Sequence, residues 1–240
     1  MWLLPSKGRP ELCKRWLDSC VAMKMSTPGV IILDESDKTI CDYQKLDLPK
    51  DWTLYIVGDS PNEPNVSMAK SIRVWMKENQ DFVDSCKWLG FQNDDMICKT
   101  ENWDQRLLEH LKDYSIIAAN DDWLAPQRLT GPAIYSGPLL RLVGYFYPPG
   151  LNHMYIDNVW EMLAVNTGLW TTHMGVHVEH DHWTKHKRED ETTKHAESFL
   201  FKDKATCQIW MEEHAQKLVD KIKEKVKDQK QFTQGIHLLF

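Results

Sequence analysis

The sequence predicts an α/β protein built on a mostly parallel sheet with helices on its faces. Short apolar runs recur at residues 2–4, 30–33, 54–57, 88–91 and 116–119, and each stops at polar or acidic residues. Stretches with apolar residues at helical spacing separate several of these runs. The resulting run of strand–helix–strand–strand–helix–strand is the pattern of crossover helices on a parallel sheet.

The first strand is Trp2-Leu3-Leu4, and Pro10 in the loop Pro5-Ser6-Lys7-Gly8-Arg9-Pro10 suits the first turn of a helix. Leu12, Trp16, Leu17, Cys20 and Val21 give that helix one apolar face. Pro28-Gly29 breaks the chain before strand 30–33, which ends in Asp34-Glu35-Ser36-Asp37. Strand 54–57 ends in Gly58-Asp59-Ser60, and residues 67–79 form a helix with Met68, Ile72 and Trp75 inward. Strand 88–91 leads into Asn93-Asp94-Asp95, residues 103–111 are helical, and strand 116–119 ends in Asn120-Asp121-Asp122. Beyond Pro132 the pattern loosens to a short helix over 136–144 and a hard turn at Pro148-Pro149-Gly150. A helix begins at Asp157, with Val159, Trp160, Leu163 and Ala164 on one face, and residues 170–182 are extended. A long amphipathic helix over 205–229 places Ala215, Leu218, Val219, Ile222 and Val226 together. Residues 1–200 are expected to form one domain, with 201–240 a C-terminal helical extension packed on it.

A chain of 240 residues fills one such domain. Its 11 Trp are mostly core mass, with the remainder available to line a cleft. Six cysteines, Cys13, Cys20, Cys41, Cys86, Cys98 and Cys207, form no CxxC pair and point to a reducing compartment. Pro5 cuts short the apolar start Met1-Trp2-Leu3-Leu4, and no run is long enough to span a membrane, so a cytoplasmic monomer or weak homo-oligomer is expected. The net charge of −6 opposes nonspecific nucleic-acid binding, although Lys185-His186-Lys187-Arg188 and the lysines over 217–230 are local basic patches. A GxGxxG turn, a Walker A lysine loop and a GxSxG elbow are all missing, which excludes the commonest dinucleotide, P-loop and serine-hydrolase chemistries.

What remains is acid and histidine chemistry at strand ends. Gly90-Phe91-Gln92-Asn93-Asp94-Asp95 places two adjacent carboxylates after a core strand, where they serve packing poorly and a hard divalent cation well. Open α/β sheets bind ligands at that end of their strands. Thr100-Glu101-Asn102-Trp103-Asp104 follows, and later comes the string Gly144-Tyr145-Phe146-Tyr147-Pro148-Pro149-Gly150-Leu151-Asn152-His153-Met154-Tyr155-Ile156-Asp157-Asn158-Val159-Trp160. Val178-Glu179-His180-Asp181-His182 completes the set. In this order the motifs resemble nucleotide-sugar glycosyltransferases of the GT-A fold. They resemble in particular a phage-type branch associated with glycosylation of hydroxymethylated DNA bases, and the resemblance covers roughly residues 1–195.

The resemblance implies metal-dependent transfer of a sugar, glucose, from a UDP-sugar to a hydroxyl acceptor, here a 5-hydroxymethylated pyrimidine such as hydroxymethylcytosine in viral DNA. Pro5, Ser6 and Arg9 would cradle the nucleotide, Arg9 lying on its base or diphosphate, and Asp34 would accept the uracil N–H. Asp94 would face the nucleotide-sugar, while Asn93, Asp95, His180 and His182 would hold Mn²⁺ or Mg²⁺. The amide of Asn93 departs from the family's usual Asp, leaving open which two side chains touch the metal. Asn120-Asp121-Asp122 is a rival acidic site; ranked second, Asp121 and Asp122 join Tyr155 and Trp160 in the acceptor cleft. Asp157 would be the general base of an inverting single displacement, its alternative being a helix cap. A glycan, protein or small-molecule acceptor is the alternative within the enzyme class. Outside it stand a sugar-nucleotide-binding module without turnover and a nucleotidyltransferase, whose first loop Ser6-Lys7-Gly8-Arg9 matches poorly.

Overall fold

The computed structural model describes residues 1–58, 67–186, 190–227 and 236–239. The expected turn at Asp59-Ser60, the basic residues Lys187 and Arg188, and the lysines beyond residue 227 lie outside the described residues. The strands are β1 (Trp2–Pro5), β2 (Gly29–Asp34), β3 (Trp52–Val57), β4 (Trp88–Phe91), β5 (Met96–Cys98), β6 (Ile116–Asn120), β7 (Ala133–Ser136), β8 (Trp170–His180) and β9 (Ile236–Leu239). They form one sheet in the order β3-β2-β1-β4-β7-β6-β8-β5, with β9 also on β8. The steps from β3 through β2 and β1 to β4 are parallel, as are β6-β8 and β8-β9. β7 runs antiparallel to both β4 and β6, and β5 runs antiparallel to the end of β8. The mixed, mostly parallel sheet is the architecture expected from the sequence.

The helices are α1 (Pro10–Ala22), α2 (Ile40–Tyr43), α3 (Met68–Glu78), α4 (Gln80–Ser85), α5 (Trp103–Leu108), α6 (Gly137–Val143), α7 (Ile156–Thr167), α8 (Trp183–His186), α9 (Glu191–Glu197), α10 (Leu200–Trp210) and α11 (Gln216–Val226). Pro10 opens α1 as expected, and Ser67 caps α3 by accepting the Lys70 N–H. Among the described residues no helix is long and apolar enough to cross a membrane.

The sheet separates two hydrophobic cores, which the period of two makes visible on β1. Leu3 faces the core shared with α3, α6, α7 and α11, while Trp2 and Leu4 face the core under α1 and α5. Trp2 is sealed between Trp88 and Trp103, with ring centroids 5.6 and 4.8 Å away. The fully buried Asp104 accepts the backbone N–H groups of Ser26 and Thr27, each at 2.9 Å, and Thr27 Oγ1 accepts Trp2 Nε1–H at 2.8 Å. The Thr-x-x-Trp-Asp string therefore fastens α5 to the loop before β2 and keeps β1 in place.

Several sequence expectations need correction. β5 and β7 were not expected. Three residues are too few to show alternation, and Ser136, assigned to a helix, ends a strand of which Ala133-Ile134-Tyr135 is the body. Val21 is exposed, and Cys13 takes its place on the buried face of α1. The last helix begins at Leu200 and runs through a π-helical segment, Met211–Ala215, into α11, whose buried face is Val219, Ile222 and Val226. His182 lies beyond the end of β8, so it does not continue the strand face of His180.

A Cβ at Gly90, in the centre of β4, would fall inside the ring of Trp2. Because that ring is wedged between two others, it cannot swing away. Gly90→Ala is expected to cost about 1–3 kcal/mol of stability, read as a lower urea midpoint; an unchanged midpoint would show that the tryptophan cluster is loose.

Candidate functional site

The carboxyl ends of the strands open into a cavity of about 470 Å³. Its wall takes Pro5, Ser6 and Arg9 from the β1 loop, Asp34 from β2, and Asn93, Asp94 and Asp95 from the end of β4. Trp123, Arg128 and Thr130 come from the β6–β7 loop, His153 and Asp157 from the entry to α7, His180 and His182 from the end of β8, and Thr193 from α9. Strands β1, β2, β4, β6 and β8 run the same way and all end at this edge, which is why residues far apart in sequence meet here.

Asp94 is the hub of one wall. Its Oδ2 accepts the Ser6 hydroxyl at 2.5 Å, and its Oδ1 lies 3.5 Å from Arg9 Nη1. Ser6 spends its proton on Asp94, so the Tyr43 hydroxyl, 2.6 Å away, donates to Ser6 Oγ and accepts the Arg9 backbone N–H at 2.9 Å. Arg9 forms a two-pronged pair with Asp190, both distances 2.7 Å, and Nη2 also donates to Thr193 Oγ1. Asp190 caps α9 by accepting the Thr193 N–H. Burial pushes the Asp94 carboxyl up, Arg9 pulls it down and Asp95 pushes it up again, leaving it at about 6. Burial also works to raise Asp190, but Arg9 prevails and holds it at about 2.

Asp95 and His180 form the second wall. Asp95 Oδ1 and His180 Nε2 approach to 3.3 Å, yet neither atom has a hydrogen-bond partner. Burial opposes the ionised form of Asp95, but His180 and Arg9 outweigh it and hold the pKa below the ordinary carboxylate range. A buried carboxylate oxygen and imidazole nitrogen left without partners are costly unless a ligand satisfies them. They suit a divalent cation that takes its other ligands from phosphate oxygens and water. Of the expected four ligands, the structure brings these two together. Asn93 lies on the wall, while the His182 ring stacks on Trp123 at 4.5 Å and Nδ1 bonds Thr184 Oγ1. Among the described residues no three His, Cys, Asp or Glu side chains converge as a preformed metal cluster.

Asp34 is buried at the cavity edge. Its Oδ1 accepts the Ser36 N–H and hydroxyl, and Oδ2 faces the buried Lys70 ammonium at 3.4 Å. Burial acts to raise its pKa, but the Ser36 hydrogen bonds and Lys70 lower it overall, so it remains an ionised acceptor.

Asp157 sits in the first turn of α7, where a negative charge is favoured. It is not the cap: Tyr155 holds that position at φ 64° without a side-chain bond. The Asp157 side chain lines the cavity, 37% exposed and otherwise enclosed by protein. That enclosure raises its pKa, while Arg128, with Nη2 at 3.5 Å, pulls the other way. Arg128 Nε donates to Glu161 at 2.8 Å, and Glu161 also takes the Leu129 N–H.

The expected acceptor residues are corrected. Trp160 is core, 1% exposed, with Nε1 donating to Phe146 O. Tyr155 packs on the hydrophobic core and does not line the cavity. Asp122 leaves the wall to bond His177 Nδ1 at 2.7 Å. Asp121 is fully buried, and its Oδ1 accepts the N–H groups of Trp123, Leu124 and Ala125 while Oδ2 accepts the Thr130 hydroxyl. It shapes the loop that presents Trp123 and Arg128, and it has no oxygen to spare for a metal. Sequence reasoning missed Tyr43, Trp123, Arg128, Asp190 and Thr193. Only Asp190, an acid three residues ahead of Thr193 at a helix start, carried a readable signal.

No protein-family model matches the chain, and no curated protein matches it. Among solved structures, the catalytic domain of Drosophila beta1,4-galactosyltransferase 7 in complex with xylobiose superposes with a TM-score of 0.50 and 9% identity, over 79% of this chain and 73% of that one. The chain has the GT-A glycosyltransferase fold. At this identity the likeness speaks for the architecture alone. An active-site mutant of LgtC superposes at a TM-score of 0.41 and 9% identity over 58% of each chain.

Asp121→Ala leaves three loop N–H groups without their acceptor. It is expected to cost about 1–3 kcal/mol for each group that stays buried, seen as a lower melting temperature, with Mn²⁺ affinity unchanged. Normal stability with lost Mn²⁺ affinity would return Asp121 to the metal.

Proposed function

We propose that this chain is a metal-dependent glycosyltransferase that moves glucose from UDP-glucose to a 5-hydroxymethylated pyrimidine in viral DNA, by inverting single displacement, in the host cytoplasm. The observation that carries the reading is the cavity's charge. Asp94 and Asp95 stand side by side on the wall, both within the field of Arg9. A dianionic diphosphate enters such a site only with a cation beside it, and the unpartnered Asp95 and His180 atoms are where this chain would hold Mn²⁺ or Mg²⁺. When bound, the cation offsets the charge that develops on the diphosphate as it leaves.

The chain's own residues divide the remaining work. Ser6, Arg9 and Pro5 line the nucleotide side, and Asp34 offers an ionised acceptor to the uracil N–H. Asp157 takes the proton of the acceptor hydroxyl as that oxygen attacks the anomeric carbon, and the bond to UDP breaks with its electron pair leaving on the diphosphate. Retention by double displacement requires a second carboxylate as nucleophile. Asp94 and Asp34 are engaged by Ser6, Arg9 and Lys70, and Asp95 is given to the cation, so inversion is the simpler chemistry.

The acceptor assignment rests on the sequence resemblance and on the cavity mouth. Trp123, 36% exposed and already stacked on His182, stands at that mouth with Lys185 over its ring at 5.7 Å. A flipped-out base would meet both. The net charge of −6 favours instead a small or glycan acceptor, which is the second reading.

Incubation with UDP-glucose, Mn²⁺ and DNA containing hydroxymethylcytosine, followed by digestion to nucleosides, is expected to give hydroxymethylcytidine heavier by one hexose. Asp157→Asn is expected to lower kcat by about 10²–10⁴-fold and to leave donor affinity nearly unchanged. Asp157 must be ionised to act and its pKa is raised, so parent activity falls as pH drops, with a midpoint above the ordinary carboxylate range. Near-normal kcat in the variant sinks the base assignment; transfer only to free sugars or nucleosides favours the small acceptor.

A further inference from the structure

One cavity group has no part in the chemistry above. His153 lines the cavity four residues ahead of Asp157, within electrostatic reach of Arg9, Asp95 and His195. Its backbone is held unusually firmly. Asp203, from α10 and fully buried, accepts the N–H groups of Asn152, His153 and Met154 at 3.1, 2.7 and 2.8 Å, and the Asn152 side-chain amide at 2.8 Å. The imidazole itself has no hydrogen-bond partner among the described residues, so a rigid backbone presents an unengaged ring to the cavity. Burial, helped by the positive Arg9, lowers its pKa to about 4, so the ring is neutral in ordinary buffers. A neutral imidazole carries one donor and one acceptor, the complement of a hydroxyl, which both gives and takes a proton. A phosphate oxygen, which only accepts, would use the ring's donor and leave its acceptor idle.

We propose that His153 reads a hydroxyl of the transferred sugar, standing between the diphosphate end of the cavity at Arg9 and Asp95 and the base at Asp157. This rests on the nucleotide-sugar reading and deepens it: His153 is a specificity-determining residue for the donor sugar, and Asp203 is its positioning residue.

Calorimetry with Mn²⁺ present compares UDP with UDP-glucose on the parent, His153→Gln and His153→Leu. The Leu variant is expected to bind UDP-glucose about 5- to 100-fold more weakly and UDP as the parent does, while Gln, which keeps a donor and an acceptor, recovers most of the loss. The parent titrated with UDP-glucose analogues lacking one hydroxyl each gives the same answer without a variant, with the loss confined to one position. A Leu variant that binds UDP-glucose normally, or that loses UDP in parallel, overturns the assignment, as does an even loss across the analogues. A parent that binds neither ligand overturns the nucleotide-sugar reading itself and this proposal with it.

Discussion

The site is organised by one guanidinium among three carboxylates. Arg9 holds Asp190 at 2.7 Å and Asp94 at 3.5 Å, and Asp95 lies in the same field. Through Asp94 the network reaches Ser6 and Tyr43, which fix the β1 loop; through Asp190 it reaches α9. Loops from β1, β4 and the C-terminal third of the chain are therefore held by one charged network in which Asp94 and Asp95 lie side by side. In a partly enclosed cavity an excess of negative charge is expensive, since low polarisability strengthens every unscreened repulsion. Burial raises the Asp94 carboxyl first of all, and the neighbouring Asp95 adds to it against the pull of Arg9. A cation is the group that would relieve that repulsion.

This polar network needs a rigid base, and the tryptophan layer beneath the sheet supplies one. Asp104 fixes Thr27, Thr27 fixes Trp2, and Trp2 packs over Gly90 in the strand that ends in Asp94 and Asp95. On the other side the C-terminal helices take part in the site, because Asp203 of α10 sets the backbone at His153 just ahead of α7.

The sequence made the strands legible where they are buried and run into polar or acidic residues, as β1, β2, β4 and β6 do, because apolar runs and strand-end polarity are local signals. β5 and β7 were not, since their pairing is fixed only by distant partners. Among cavity residues, Ser6, Arg9, Asp94, Asp95, His180 and Asp157 stood in recognisable strings and the fold brings them to one cavity. The acids at 121 and 122 misled because a carboxylate that organises a turn and one that awaits a ligand look alike in sequence; only the hydrogen bonds of Asp121 tell them apart. Trp160 misled for a similar reason, since an aromatic near a candidate base can belong to the core or the cleft. Arg128 and Tyr43 were silent because their role lies wholly in partners 29 and 37 residues away.

On the reading proposed above, the acidic cavity takes a nucleoside diphosphate only together with a divalent cation held by Asp95 and His180. Calorimetric titration of UDP with Mn²⁺ and again in excess EDTA, on the parent and on Asp95→Ala, tests this most directly. Binding by the parent with Mn²⁺, loss of that binding in EDTA, and weak binding by Asp95→Ala under both conditions are expected. Equal UDP affinity with and without the metal, or an Asp95→Ala variant indistinguishable from the parent, would contradict it.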